Sequence, residues 1–96
     1  MNETKKEFTP PSADFKFFIT TLSLQATIFL GQMVNPVTNK NEENLPQAKF
    51  IIDTLGMLQE KTKGNLNSEE ADFLENVLYE LRSVYLSKNK ASGEIK

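Results

Sequence analysis

The chain is predicted to be all-α, three helices in one domain, with a long first helix packed on an antiparallel hairpin of the second and third. Three observations predict it. Apolar residues recur at three- and four-residue steps in three separate stretches. Turn-forming clusters separate those stretches at residues 35–44 and 64–67. Capping residues stand where each periodic stretch begins or ends.

The first helix is expected from about Ala13 to Met33. Ser12 is read as its N-cap, with Asp14 in the first turn suiting the positive helix end. Phe15, Phe18, Ile19, Leu22, Phe29, Leu30 and Met33, with Ala26 between, make one apolar stripe. Phe17, Leu24 and Ile28 make a second stripe on another side. Thr20, Ser23, Thr27 and Gly31 form a line of small residues that lets a neighbouring helix come close. A helix in a small monomer needs one buried stripe, so two stripes place this helix between neighbours. Asn35-Pro36 is expected to end it, because the residue before Pro avoids the α region.

The second helix is expected from Leu45 to Lys63. Asn44 is its N-cap, Pro46 lies in the first turn, and Gln47 completes a box-like pattern. Leu45, Ala48, Ile51, Ile52, Leu55 and Leu58 form its buried face. Gly64 is the stop, since it takes a positive φ without a Cβ clash. The third helix is expected from Ser68 to Ser87, capped by Asn67 with Glu70 as the reciprocal partner. Its core stripe is Leu74, Val77, Leu78, Leu81, Val84 and Tyr85. The four residues from Gly64 to Asn67 leave room only for a tight helical hairpin. The domain is therefore placed at 12–87, between disordered tails at 1–11 and 88–96.

Composition limits the chemistry. The 96 residues include no Cys and no His. Disulfides are excluded, and a zinc site has only carboxylates to draw on. The usual proton shuttle and the strongest nucleophile are both missing, so no catalytic, metal or cofactor residues are assigned. A chain this short has a small core, and association with itself is the stabilising device still open to it. The net charge is −2 with both signs interspersed, which gives no basic footprint for nucleic acid. Phe17 to Asn39 lacks any charged residue. That length could span a bilayer, but Gln25, Gln32 and the many hydroxyls argue against lipid contact. Pro10, Pro11 and Asp14 argue against a signal peptide, and the chain is read as cytoplasmic.

A resemblance adds to this reading. The pattern runs Phe15-x-x-Phe18, Leu22-x-x-Gln25-Ala26, Leu30-Gly31, then Asn35-Pro36-x-Thr38, Ala48-Lys49 and Ile52-Asp53-x-Leu55. Its longest run is Glu60-Lys61-Thr62-Lys63-Gly64-Asn65-Leu66-x-x-Glu69-Glu70, followed by Leu78-Tyr79-Glu80-Leu81-Arg82. This resembles the small bacterial proteins grouped as domain of unknown function 1844, from about Phe15 to Tyr85. Asn39 stands where that family's loop is expected to carry Gly, and Asn also tolerates the left-handed region. The resemblance implies no activity, cofactor or partner.

Several clusters have a structural and a functional reading. Glu69, Glu70, Asp72 and Glu75 could hold a cation, but acids in a first turn are explained by capping and the helix dipole. Lys61-Thr62-Lys63-Gly64-Asn65 could hold phosphate, but it lacks the P-loop frame and sits at the negative end of a helix. Asp53 and Arg82 lie about one turn apart in hairpin register and are expected to form an interhelical ion pair. The rival is a Lys49–Asp53 pair within one helix. Gln25 and Gln32 lie two turns apart and either fix the register of a symmetric helix pair or face water. The four aromatic residues of the first helix are read as core before they are read as a ligand groove.

The leading functional expectation is a non-catalytic module that assembles with copies of itself, as a two-fold dimer or higher, or with another protein. The expected interface is Phe17, Thr20, Ser23, Leu24, Thr27, Ile28 and Gly31. A peripheral lipid-binding protein and a carboxylate-based metal protein or enzyme are the alternatives.

Overall fold

The computed structural model describes residues 12–91 and contains three helices, α1 (Phe15–Phe29), α2 (Leu45–Lys61) and α3 (Ser68–Ala91). The tails expected at 1–11 and beyond residue 91 lie outside the described residues. Residues 88–91, expected in the C-terminal tail, continue α3.

Each helix packs against both others. The core consists of Ile19, Ala26 and Leu30, then Ala48, Ile51, Ile52 and Leu55, then Leu74, Leu78 and Leu81. Phe15, Leu22, Phe29, Leu45, Leu58, Leu66, Val77, Val84 and Tyr85 close around it. No described polar or charged side chain is buried, so the interior carries no desolvation penalty of the kind a buried charge brings. Two residues expected in the first core stripe are outside it: Phe18 and Met33 are exposed.

α1 is shorter than the sequence predicts, and α3 is the longest helix instead. The stop for α1 is Gly31, not Asn35-Pro36. Gly31 has φ +78°. Its N–H donates to the Ile28 carbonyl at 3.0 Å, and the Gln32 N–H donates to the Thr27 carbonyl at 3.1 Å. This pair of bonds is the Schellman closure, which satisfies carbonyls that a helix end leaves open. Gln32 therefore lies beyond the helix, and the two-turn alignment of Gln25 with Gln32 does not exist. The start also differs. Asp14, not Ser12, is the N-cap, and its carboxylate accepts from the Phe17 N–H at 2.8 Å. A carboxylate at this position also complements the helix dipole, which a hydroxyl does less well.

The 32–43 excursion is tied back to α1. Asn44 N–H donates to the Phe29 carbonyl at 2.7 Å, and the Asn41 amide donates to the Gly31 carbonyl at 3.0 Å. Its tip is a hydrogen-bonded turn. Asn35 N–H donates to the Lys40 carbonyl at 2.8 Å and Asn39 N–H to the Asn35 carbonyl at 2.6 Å. The Val37 N–H donates to the Asn35 side chain at 2.9 Å. Asn39 has φ +62°, the left-handed conformation that the substitution of Gly by Asn anticipates.

The N-caps of α2 and α3 fall where the sequence places them, whereas α2 ends at Lys61 with Thr62 as its C-cap, so Gly64 lies beyond the cap rather than directly after the helix. Asn44 accepts from the Gln47 N–H at 3.1 Å. Asn67 accepts from the Glu70 N–H at 2.8 Å while its own N–H donates to the Glu70 carboxylate at 3.1 Å. Between them, Gly64 turns the chain with φ +85°.

Gly31 and Gly64 predict different sensitivities. A Cβ at Gly64 would meet nothing within 4 Å, whereas one at Gly31 would lie 3.3 Å from both the Asn41 and Glu43 side chains. Gly64→Ala should cost about 1–2 kcal/mol from the positive φ alone. Gly31→Ala should cost more, since it also displaces the Asn41 bond. Thermal unfolding of the two variants measures the difference, and equal losses would contradict the crowding at Gly31.

Ion pairs join the ends of the helices. Lys16 reaches Glu69 at 3.1 Å, and its ammonium sits 5.7 Å from the Phe73 ring centroid. Lys88 reaches Glu43 at 3.2 Å. These contacts set the start of α1 beside the start of α3, and the start of α2 beside the end of α3.

Candidate interaction surface

On a helix of 3.6 residues per turn, Phe17, Leu24 and Ile28 project roughly opposite Ile19 and Ala26. The structure agrees: Ile19 and Ala26 are fully buried, while Phe17 is 55% and Leu24 47% exposed. Ile28 is half-buried, and Thr20 and Thr21 between them are exposed. The outward side of α1 is thus apolar or uncharged polar, with Gln25 exposed one turn after Thr21 and no charge after Lys16. Two of its hydroxyls donate back to the helix backbone. Thr21 donates to the Phe17 carbonyl at 3.1 Å, and Thr27 donates to the Ser23 carbonyl at 2.8 Å.

The other residues of the expected interface lie differently. Ser23 and Thr27 are half-buried at the edge of the outward face. Gly31 is a correction: its role is the positive φ that stops α1, not close approach along a helix face.

More apolar surface is exposed than periodicity predicts. Phe17 and Phe18 border a shallow hollow at the N-terminal end of α1, lined also by Phe15, Thr21 and residues 12–14. At the other end, Met33, Val34 and Val37 are exposed, Val37 at 89%. On α2, Phe50 is 67% exposed and Met57 is exposed as well. Their spacing of seven, off the core stripe, was the signal available for that second outward stripe.

The expected Asp53–Arg82 pair is not formed. Asp53 accepts from Lys49, four residues earlier, at 2.7 Å. The hydrogen bond with Asp53, and then the charge of that carboxylate, raise the Lys49 ammonium above its ordinary 10.5. The contribution of this exposed pair is present below that pH and is lost as pH rises through the raised value. Asp53 and Arg82 line one shallow groove with Lys49, Ile52, Tyr85 and Leu86, but among the described residues no ion pair joins them. The local pair wins because it orders two side chains already on one helix face.

Arg82 lies instead over Gly56, where an added Cβ would come within 3.0 Å of its Nη2. That atom ends a long flexible side chain and can swing away. Gly56→Ala should therefore raise stability by about 0.5–1 kcal/mol, the helix-propensity gain over Gly. A lower melting temperature would show that the Arg82–Gly56 contact matters to the fold.

The helix 3 acids are dispersed in role. Glu69 pairs with Lys16, and Glu70 completes its capping box. Among the described residues, no group of three or more Asp or Glu is placed to hold a metal ion. At the Lys61–Asn65 turn, the hollow beside Lys63 and Gly64 is also lined by Glu60 and Glu75. Two carboxylates beside one ammonium repel an anion rather than cradle it.

No helix among the described residues is long and apolar enough to cross a membrane. A family model described as Domain of unknown function (DUF1844) matches residues 12–87. No curated protein matches, and no solved structure does.

Proposed function

Because the chain belongs to the DUF1844 family, a membership that specifies no chemistry, we propose from the geometry alone that it is a non-catalytic module that associates with copies of itself. The observation that carries this reading is the outward face of α1, where Phe17 and Leu24 stand exposed directly behind the buried Ile19 and Ala26. Water is a poor neighbour for exposed apolar side chains of this size, and covering them is worth about 25 cal/mol per Å². The ion pairs and the short turn are best accounted for by α1 laid on an antiparallel α2–α3 hairpin, which leaves this strip facing out. The lack of Cys and His supports a scaffold role in a reducing compartment such as the cytoplasm.

The competing reading is attachment to a lipid surface. An interfacial helix combines an apolar face with a basic polar one. α1 has Lys16 as its only charged residue, and Glu69 already holds it. Co-sedimentation with anionic and with neutral vesicles, run beside gel filtration in their absence, separates the two. The proposal expects protein in the supernatant and an elution volume of more than one subunit. Pelleting with vesicles by a protein that elutes as one subunit would replace self-association with membrane attachment.

A further inference from the structure

We infer that the groove between α2 and α3 at Arg82 binds a small organic carboxylate with an apolar body. This groove lies away from the outward side of α1, and the inference stands whether or not the chain associates with itself.

Two matched triads build the groove. Lys49, Ile52 and Asp53 stand at i, i+3 and i+4 on α2, so they share one side of that helix. Arg82, Tyr85 and Leu86 repeat the spacing on α3. All six line one groove, and no residue of α1 takes part. Ile52 is buried, Tyr85 is half-buried and Leu86 is exposed. Apolar walls with a few polar groups among them are the usual make-up of a small-molecule site.

Charge selects the ligand. Lys49 and Asp53 are joined at 2.7 Å and neutralise each other. Arg82 has no ion pair among the described residues, and the Tyr85 hydroxyl has no hydrogen-bond partner among them. Two cations beside one carboxylate leave the groove with one positive charge. The hollow at Lys63 has the reverse balance, with Glu60 and Glu75 beside it. A guanidinium binds a carboxylate through two parallel N–H bonds, and the Tyr85 phenol is a third donor in the same groove. Asp53 weighs against a multiply charged phosphate, and the apolar walls favour a hydrocarbon body on the anion. Six lining residues suit a small molecule rather than a polypeptide.

Gly56 places the cation. An added Cβ there would lie 3.0 Å from the Arg82 Nη2, so the guanidinium rests against α2 where that helix has no side chain. An arginine already laid on a helix loses less rotamer freedom when it is engaged.

Benzoate is the probe, and benzamide, with nearly the same shape and no charge, is the control. In an amide NMR titration benzoate should shift the signals of residues 49–53 and 82–86 and saturate, while benzamide leaves them in place. Arg82→Gln should weaken benzoate binding about tenfold or more, through loss of the charged hydrogen bonds. If Arg82→Gln folds poorly, judged by circular dichroism, Arg82→Lys is the second variant. It keeps the charge without the planar fork and should also weaken binding. Shifts spread over the surface lysines would overturn the site, as would an equal response to benzamide. Full benzoate affinity in Arg82→Gln, or in Arg82→Lys where that variant is needed, would overturn the role of Arg82 and the inference with it.

Discussion

Leu55→Ala is expected to produce the largest loss of stability among single truncations on α2. Leu55 is fully buried at the centre of the core, and large-to-small changes at such positions cost about 2–5 kcal/mol through lost transfer energy and the cavity left behind. A domain of this size has about 5–15 kcal/mol in total. Each kcal/mol moves the melting temperature by about 4–8 °C in a small domain, so the variant should melt lower by about 8 °C or more. Phe50→Ala, on the outward side of the same helix, is the control. Phe50 is 67% exposed, and its loss should shift stability by only about 0.5 kcal/mol. If Phe50→Ala were as damaging as Leu55→Ala, the assignment of inner and outer faces on α2 would be wrong.

Leu24→Glu should separate association from folding. Leu24 faces away from the core, so a carboxylate there leaves the subunit's packing untouched and its helical circular dichroism unchanged. In an assembly that covers this face, such a carboxylate would be buried without a partner. Burying an unpaired charge costs about 3–5 kcal/mol, which is at least two decades in dissociation constant. The variant should therefore run at the subunit mass of 10.9 kDa at concentrations where the wild type does not. Sedimentation velocity checks this. A variant that unfolds would show Leu24 to be part of the core, and one that keeps the wild-type mass would show that the strip is not the contact.

Much of the fold was legible in the residues because it rests on local chemistry. Asn67 and Glu70 form a box because their spacing lets each reach the other's backbone N–H, and no distant residue has a say. Gly64 turns the chain for the same reason. Ala48, Ile51, Ile52 and Leu55 are buried because the three- and four-residue steps put them on one side.

The misses come from places where two local signals compete or where a distant residue decides. Gly31 and Pro36 are both plausible stops for α1, and Gly31 acts first because Asn41 and Glu43 pack on it and Asn44 returns to the Phe29 carbonyl. Ser12 and Asp14 are both cap residues, and the charged one is used. Phe18 has core spacing but lies at the rim near the helix start, where α2 and α3 do not cover it. Asp53 has a partner in register across the hairpin and another four residues back. The near one is taken, and Arg82 rests over Gly56 instead. That mid-helix glycine was the available sign of a close approach. The rigid turn displaying Val37 had no sign in periodicity, because it depends on side-chain bonds from Asn35.

Light scattering on the wild-type protein over a dilution series tests the central claim most directly. The account predicts a mass of twice 10.9 kDa at micromolar concentration and above, falling towards one subunit only on strong dilution. A mass that stays at one subunit up to millimolar concentration would contradict it, since Phe17 and Leu24 would then be facing water.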